Sequence, residues 1–189
     1  YCLAGNHSQV WQHMPMNRCQ STEVATAWMQ EAITEMNQGL QLAFVTIDKK
    51  TNQVIGSTRL FRCNTKDKTI ELGHTFITPK FQRSHVNSHA KFLLLNHAFE
   101  TLKMVRVEIC THENNQQSRN AIARIGGQFE GILRKHRRTH VSYTHPRAHE
   151  TVLEIVCRLP LEKKDQSILY RDYTYTHAST NTSHPLLAC

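Results

Sequence analysis

Apolar positions recur along this chain with two different periods, and the switches between them mark its elements. Over residues 41–47 and 53–61, short runs rich in β-branched and aromatic side chains are joined by the charged turn DKKTN, the pattern of a β-hairpin. A third such run covers 69–77, reached through the polar loop CNTKDK and stopped by Pro79, which has no backbone N–H to continue a ladder. Then the period changes. After the polar segment 82–87, Ala90, Phe92, Leu93, Leu94, Ala98, Phe99 and Leu102 group on one broad face of a long helix. Residues 104–110 (MVRVEIC) alternate again as a strand, 118–125 reads as a helix ended by Gly126 and Gly127, and 128–133 and 150–159 read as two further strands.

Upstream of the hairpin, Ser21 or Thr22 can cap a helix with Glu23 in its first turn. Val24, Ala27, Trp28, Ala32, Ile33 and Met36 follow at helical spacing, and Gly39 supplies a stop. Trp28 at that spacing reads as core rather than as a ligand platform. Residues 1–20 look irregular, with a helical piece around 8–13 carrying Trp11. The order helix, three strands, helix, strand, helix, two strands predicts an α+β fold, a sheet with helices on its faces. One domain is expected over 1–160. Residues 161–189, rich in Thr, Ser, His and Asp, read as a disordered or loosely attached tail.

Composition narrows this picture only a little. The 189 residues suffice for one real core, and an apolar fraction of 39% suits a globular protein with polar ends. No apolar run is long enough to cross a bilayer and no signal-peptide pattern opens the chain, which begins at Tyr1 and so reads as cut or incomplete. Six cysteines are widely spaced with no CxxC, which points to a reduced, cytosolic protein. The formal charge of +8 is concentrated in RKHRRTH at 134–140. A local basic run without an aromatic-interleaved platform disfavours nucleic acid as the partner.

Candidate chemistry starts at the junction of the third strand and the long helix. A strand–turn–helix unit gathers free backbone N–H groups and the positive end of a helix dipole at one point, a ready seat for phosphate. The turn has neither the Walker pattern nor the three-glycine dinucleotide fingerprint. The i, i+4 pairs His85/His89 and His136/His140 have metal-ligand spacing but no placed third ligand, and no metal is expected.

Four stretches together carry a family resemblance: VWQHMP near the start, IGSTRLF, IELGHTFITPKFQRSHVNSHAKFLLLNHAFETL, and VRVEICTHENNQQSRNAIARIGGQFEGILRKH. Over roughly residues 10–138 the chain resembles a GNAT-superfamily N-acetyltransferase of the ribosomal-protein N-terminal-acetyltransferase (RimJ/RimL-like) branch. The resemblance implies the acyl-CoA acyltransferase fold, a mixed, mostly antiparallel sheet splayed at the cofactor site, and acetyl-CoA as cosubstrate. Such proteins usually have one more strand before the position of Tyr1.

Site residues follow from the same resemblance. The pyrophosphate of CoA would sit on the N–H groups of Arg83, Ser84, His85, Val86 and Asn87, beside Gln82. The family usually has glycines where His85 and Asn87 stand. A backbone N–H near Phe76 or Ile77 would polarise the thioester carbonyl. Glu71 would orient the acceptor amine or take its proton. Asn115 would hydrogen-bond the cofactor, and Ser118 would donate to the sulfur or serve as a helix N-cap. The implied reaction is direct acetyl transfer to a primary amine, a protein N-terminus or a small molecule, in the cytoplasm. The alternative is a degenerate module of the same fold that binds CoA or a partner without turnover. A homodimer is compatible with either.

Overall fold

The structure, a computed structural model, describes residues 1–137, 152–159 and 175–177. Two short helices, α1 (Cys2–Gly5) and α2 (Ser8–Trp11), open it. The next helix, α3 (Thr22–Asn37), begins where Ser21 Oγ accepts a bond from the Val24 N–H, and the chain leaves it through Gly39 at φ 70°. Its buried face is Ala25, Trp28 and Ala32, and Ala27 is exposed. Strands β1 (Gln41–Asp48), β2 (Gln53–Asn64) and β3 (Thr69–Ile77) form an antiparallel meander.

After a 3₁₀ turn at Pro79–Phe81 the chain enters α4 (Val86–Asn96). The long helix expected here does not stay α-helical. It widens into a π turn at His97–Thr101, closed by a bond from Leu102 N–H to His97 O. Next come β4 (Arg106–His112), α5 (Gln116–Arg124), β5 (Gln128–Arg137), β6 (Val152–Leu159) and β7 (Tyr175–His177). The sheet order is β5-β6-β4-β3-β2-β1-β7, and among the described residues only β3 and β4 are parallel neighbours, as expected for strands joined through a crossover helix.

β7 lies within the stretch read as a loose tail. Its three residues pair with the outer edge of β1, from Phe44↔His177 to Thr46↔Tyr175. An open sheet edge offers unpaired backbone groups to any nearby segment, however weak that segment's own strand pattern. The rest of 160–189 lies outside the described residues.

Two apolar layers cover the sheet. Leu60, Ile70, Leu72 and Val107 pack with Leu94 of α4, Ala98 of the π turn and Ile122 of α5. On the other side Phe76 packs with Ala4, Trp11, Ala25 and Trp28. Leu72 and Phe76 share the same parity along β3 yet serve opposite layers. The cause is a β-bulge: His74 and Thr75 together oppose the single residue Thr58, with His74 at φ 49°.

Candidate active site

The parallel ladder between β3 and β4 is only three residues long. It pairs Thr69↔Arg106, Ile70↔Val107 and Glu71↔Glu108, and stops there. Beyond Glu71, β3 follows β2 while β4 follows β6, so the two strands part and leave a V-shaped gap with Glu71 at its vertex. Thr78 N–H donates back to Ile55 O. Because successive N–H groups of an extended strand alternate in direction, the Ile77 N–H turns toward β4 and into the gap. Of the two residues named from sequence, Ile77 therefore presents the donor, and Phe76 serves through its side chain, buried in the aromatic layer. Gly56 permits this geometry: a Cβ there would lie 2.6 Å from Phe76 O.

At the open end of the gap, Gln82 acts through its side chain. Its Nε2 donates to Ile77 O at 2.9 Å and its Oε1 accepts from Gln117 Nε2 at 3.0 Å, so one amide ties the end of β3 to α5. Arg83 is exposed and takes the left-handed conformation, φ 59°. His85 has right-handed helical angles and Asn87 lies inside α4, so neither needs a glycine for its backbone conformation. The Val86 N–H bonds to Ser84 Oγ, which itself donates to Phe81 O, and the Val86 side chain is buried with Ile55 and Ile77. The sequence placed all five N–H groups of 83–87 at the phosphate. The fold commits that of Val86 to Ser84 instead.

Across the gap, Asn115 is the N-cap of α5 and its Oδ1 accepts the Ser118 N–H at 3.0 Å. Ser118 is thus not the cap. Its hydroxyl makes no hydrogen bond among the described residues, and neither does the Asn115 side-chain NH₂.

Glu71 is only 5% exposed, not a solvent-facing carboxylate, and its Oε2 accepts from Arg62 Nη1 at 3.0 Å. Arg62 reaches it from a second irregularity, in β2, where its own φ is 54°. Phe61 stands directly across the ladder from Glu71.

A second buried charge was not anticipated. Lys91, on α4, is 5% exposed, and its Nζ donates to Thr58 Oγ1 at 3.0 Å and to Thr75 Oγ1 at 2.6 Å. Those hydroxyls sit on the two sides of the β3 bulge, so Lys91 clasps the distortion that aims Ile77. Burial drives its pKa down from the usual lysine value to about 7. The signal was present in the sequence as the lone charge in the apolar run AKFLLL. His85 and His89 pack ring against ring, 5.0 Å between centroids, at the start of α4. The pair His136/His140 lies outside the residues whose side chains are described.

The splayed parallel pair, the bulge beside it and the helix at its mouth can be compared with known proteins. A GCN5-related N-acetyltransferase from Brucella melitensis matches with a TM-score of 0.73 at 23% identity, over 84% of this chain and 68% of that one. A protein described as a probable GNAT-family acetyltransferase from Chromobacterium violaceum matches at 0.70 and 26% identity, over 84% and 74%. RimJ of Mycobacterium smegmatis, solved in complex with CoA-disulfide, matches at 0.72 and 14% identity, over 85% and 76%. No protein of curated function matches the sequence. Among the described residues, no helix is long and apolar enough to cross a membrane. The family model "Acetyltransferase (GNAT) domain" matches residues 1–128, more than half of the sequence, so the chain belongs to the GNAT acetyltransferase family.

Proposed function

We propose that this acetyltransferase moves an acetyl group from acetyl-CoA to a primary amine by direct attack. The observation that carries the reading is the early end of the β3–β4 ladder, which leaves the Ile77 N–H facing a gap bounded by Glu71, Asn115 and Ser118. A backbone donor with no strand partner fits an acyl carbonyl, and free edge groups fit the amides of a pantetheine arm. Acetyl-CoA, when bound, supplies the acyl carbon as an activated thioester.

The chain's own groups then divide the work. Ile77 N–H holds the carbonyl oxygen. Glu71, directly or through one water, orients the amine and takes the proton that nitrogen sheds as its bond to the acyl carbon forms. The Ser118 hydroxyl donates toward the sulfur as the C–S bond breaks, so the thiolate leaves with a hydrogen bond or a proton. Asn115 NH₂ and the backbone N–H groups of Arg83, Ser84, His85 and Asn87 hold the cofactor, with Gln82 as the clasp at the mouth. No covalent acyl-protein species is involved.

The test is thiol release from acetyl-CoA against a panel of N-terminal peptides and small amines. Amine-dependent release, reduced in Glu71→Gln and Ser118→Ala, is the expected result. Thermal stabilisation by acetyl-CoA without release from any amine would leave a binding module in place of an enzyme.

A further inference from the structure

The face of the sheet that carries Glu71 also holds a narrow cleft between α3 and the first two strands, away from the β3–β4 gap. Its walls are apolar, from Met29, Ala32, Ile33 and Met36 on the helix to Ala43 and Val45 on β1. Ala43 and Val45 pair across the ladder with Arg59 and Ser57, which form the cleft's polar end. Tyr1 completes that end, its hydroxyl beside Ser57 and the Arg59 guanidinium.

Arg59 is only 4% exposed, and no carboxylate lies within ion-pair distance of it among the described residues. A guanidinium has five N–H donors. Two are used, one on Gln41 Oε1 and one on Trp28 O, both at 3.3 Å, which leaves three without a partner among the described residues. Its carbon lies 4.3 Å from the centroid of the Trp28 ring. Burial lowers its pKa against the longer-range support of Glu31 and Glu35, but an arginine does not give up its proton inside a protein. Glu35 acts only at second hand, accepting from Gln41 Nε2 at 2.7 Å. A permanent, nearly buried cation with unused donors at the end of an apolar cleft selects an anion, and its planar fork matches the two oxygens of a carboxylate.

We propose that this cleft binds a carboxylate carried on a short aliphatic stem, the carboxylate on Arg59 and the stem between the α3 side chains and β1. The flexible Met29 and Met36 adapt the walls to the stem. Arg59 pairs with Ala43 of β1 on one side and Gly73 of β3 on the other, and the gap opens on the far side of β3. A stem lying over β1 therefore runs away from the gap, and its carboxylate belongs to an effector distinct from the amine acceptor.

The binding test uses the full chain and no turnover. Hexanoate, hexylamine and 1-hexanol are titrated by calorimetry against wild type, Arg59→Gln and Ile33→Trp. The expected result is hexanoate binding at least about tenfold tighter than either analogue and weakened at least about tenfold in both variants. Ile33 is half-buried at the cleft wall, so Ile33→Trp fills the cleft and keeps Arg59, which covers the case that Arg59→Gln does not fold. Hexanoate binding no tighter than 1-hexanol, or binding retained in Ile33→Trp, overturns the proposal. A second arm tests the role: hexanoate is expected to alter the rate of acetyl transfer without competing with the amine, and competition with the amine overturns the assignment as an effector. Because the binding arm needs no acetyl transfer, failure of the catalytic reading leaves it interpretable.

Discussion

Among the described residues, the two faces of the sheet each bury one cation without an acidic partner in contact, and they resolve the same problem differently. On the α4 face Lys91 sits between two threonine hydroxyls. On the α3 face Arg59 sits against an amide oxygen, a carbonyl and a tryptophan ring. Desolvation opposes both charges. The lysine can answer by releasing its proton near neutral pH, so its surroundings need only be polar. The arginine cannot, so its charge persists and remains available to an incoming anion. A buried lysine thus makes the fold sensitive to pH, while a buried arginine makes it receptive to a ligand.

Glu71 provides the sharpest test of that contrast, because it is the buried charge that does have a counter-ion in contact, Arg62. Glu71→Gln keeps shape and burial but removes the proton acceptor. We expect kcat to fall by about 10²- to 10⁴-fold with acetyl-CoA stabilisation of the fold intact. A Glu71→Gln variant with wild-type turnover would remove Glu71 from the chemistry.

Lys91 gives the next largest effect. Its folded-state pKa of about 7 lies below the ordinary 10.5, so between those values the unfolded chain holds the extra proton. Stability therefore rises as pH climbs through that window and falls as pH drops toward 7 and below. Lys91→Met should be more stable than wild type by about 1–4 kcal/mol at pH 6. The advantage should shrink by pH 9, as read from denaturant midpoints. The two threonine hydroxyls stay satisfied in that variant, since they lie 2.9 Å apart and Thr58 also reaches Gly73 O. An equal gain at both pH values would show that Lys91 keeps its proton throughout.

Thr75→Val removes one of the two Lys91 acceptors and frees one side of the bulge. A loss of about 1–3 kcal/mol is expected, with a raised KM for acetyl-CoA if the clasp helps to aim Ile77. Arg62→Ala should have the smallest effect on stability, below about 1 kcal/mol, because Arg62 is 57% exposed and screened by solvent. Its effect should appear instead in kcat, because Arg62 holds the Glu71 carboxylate by a 3.0 Å bond.

Much of the architecture was legible before any coordinates. The bounds of β3 fall at Thr69–Ile77 as the pattern of its residues indicated, and Ser21, Gly39 and Pro79 mark the ends their chemistry predicts. Short-range rules settle such features, since capping, alternation and proline act over a few residues. The π turn at His97–Thr101 and the bulge at His74–Thr75 escaped the sequence because both answer to packing against other elements. β7 escaped it because a three-residue strand exists only where β1 offers an edge.

The candidate site divides along the same line. Sequence by itself determined where the polar groups of the proposed site stand along the chain: the Glu71 carboxylate on a central strand, Asn115 and Ser118 at a helix start, and a polar turn ahead of α4. Only the tertiary structure decided what each of them contacts. It tied Gln82 to Gln117, occupied the Val86 N–H with Ser84, turned Ile77 rather than Phe76 toward the gap, and buried Lys91 and Arg59 on opposite faces. The physical reason is that hydrogen-bond partners, burial and the direction of a backbone N–H are properties of contacts between segments distant in sequence, and no local periodicity encodes them.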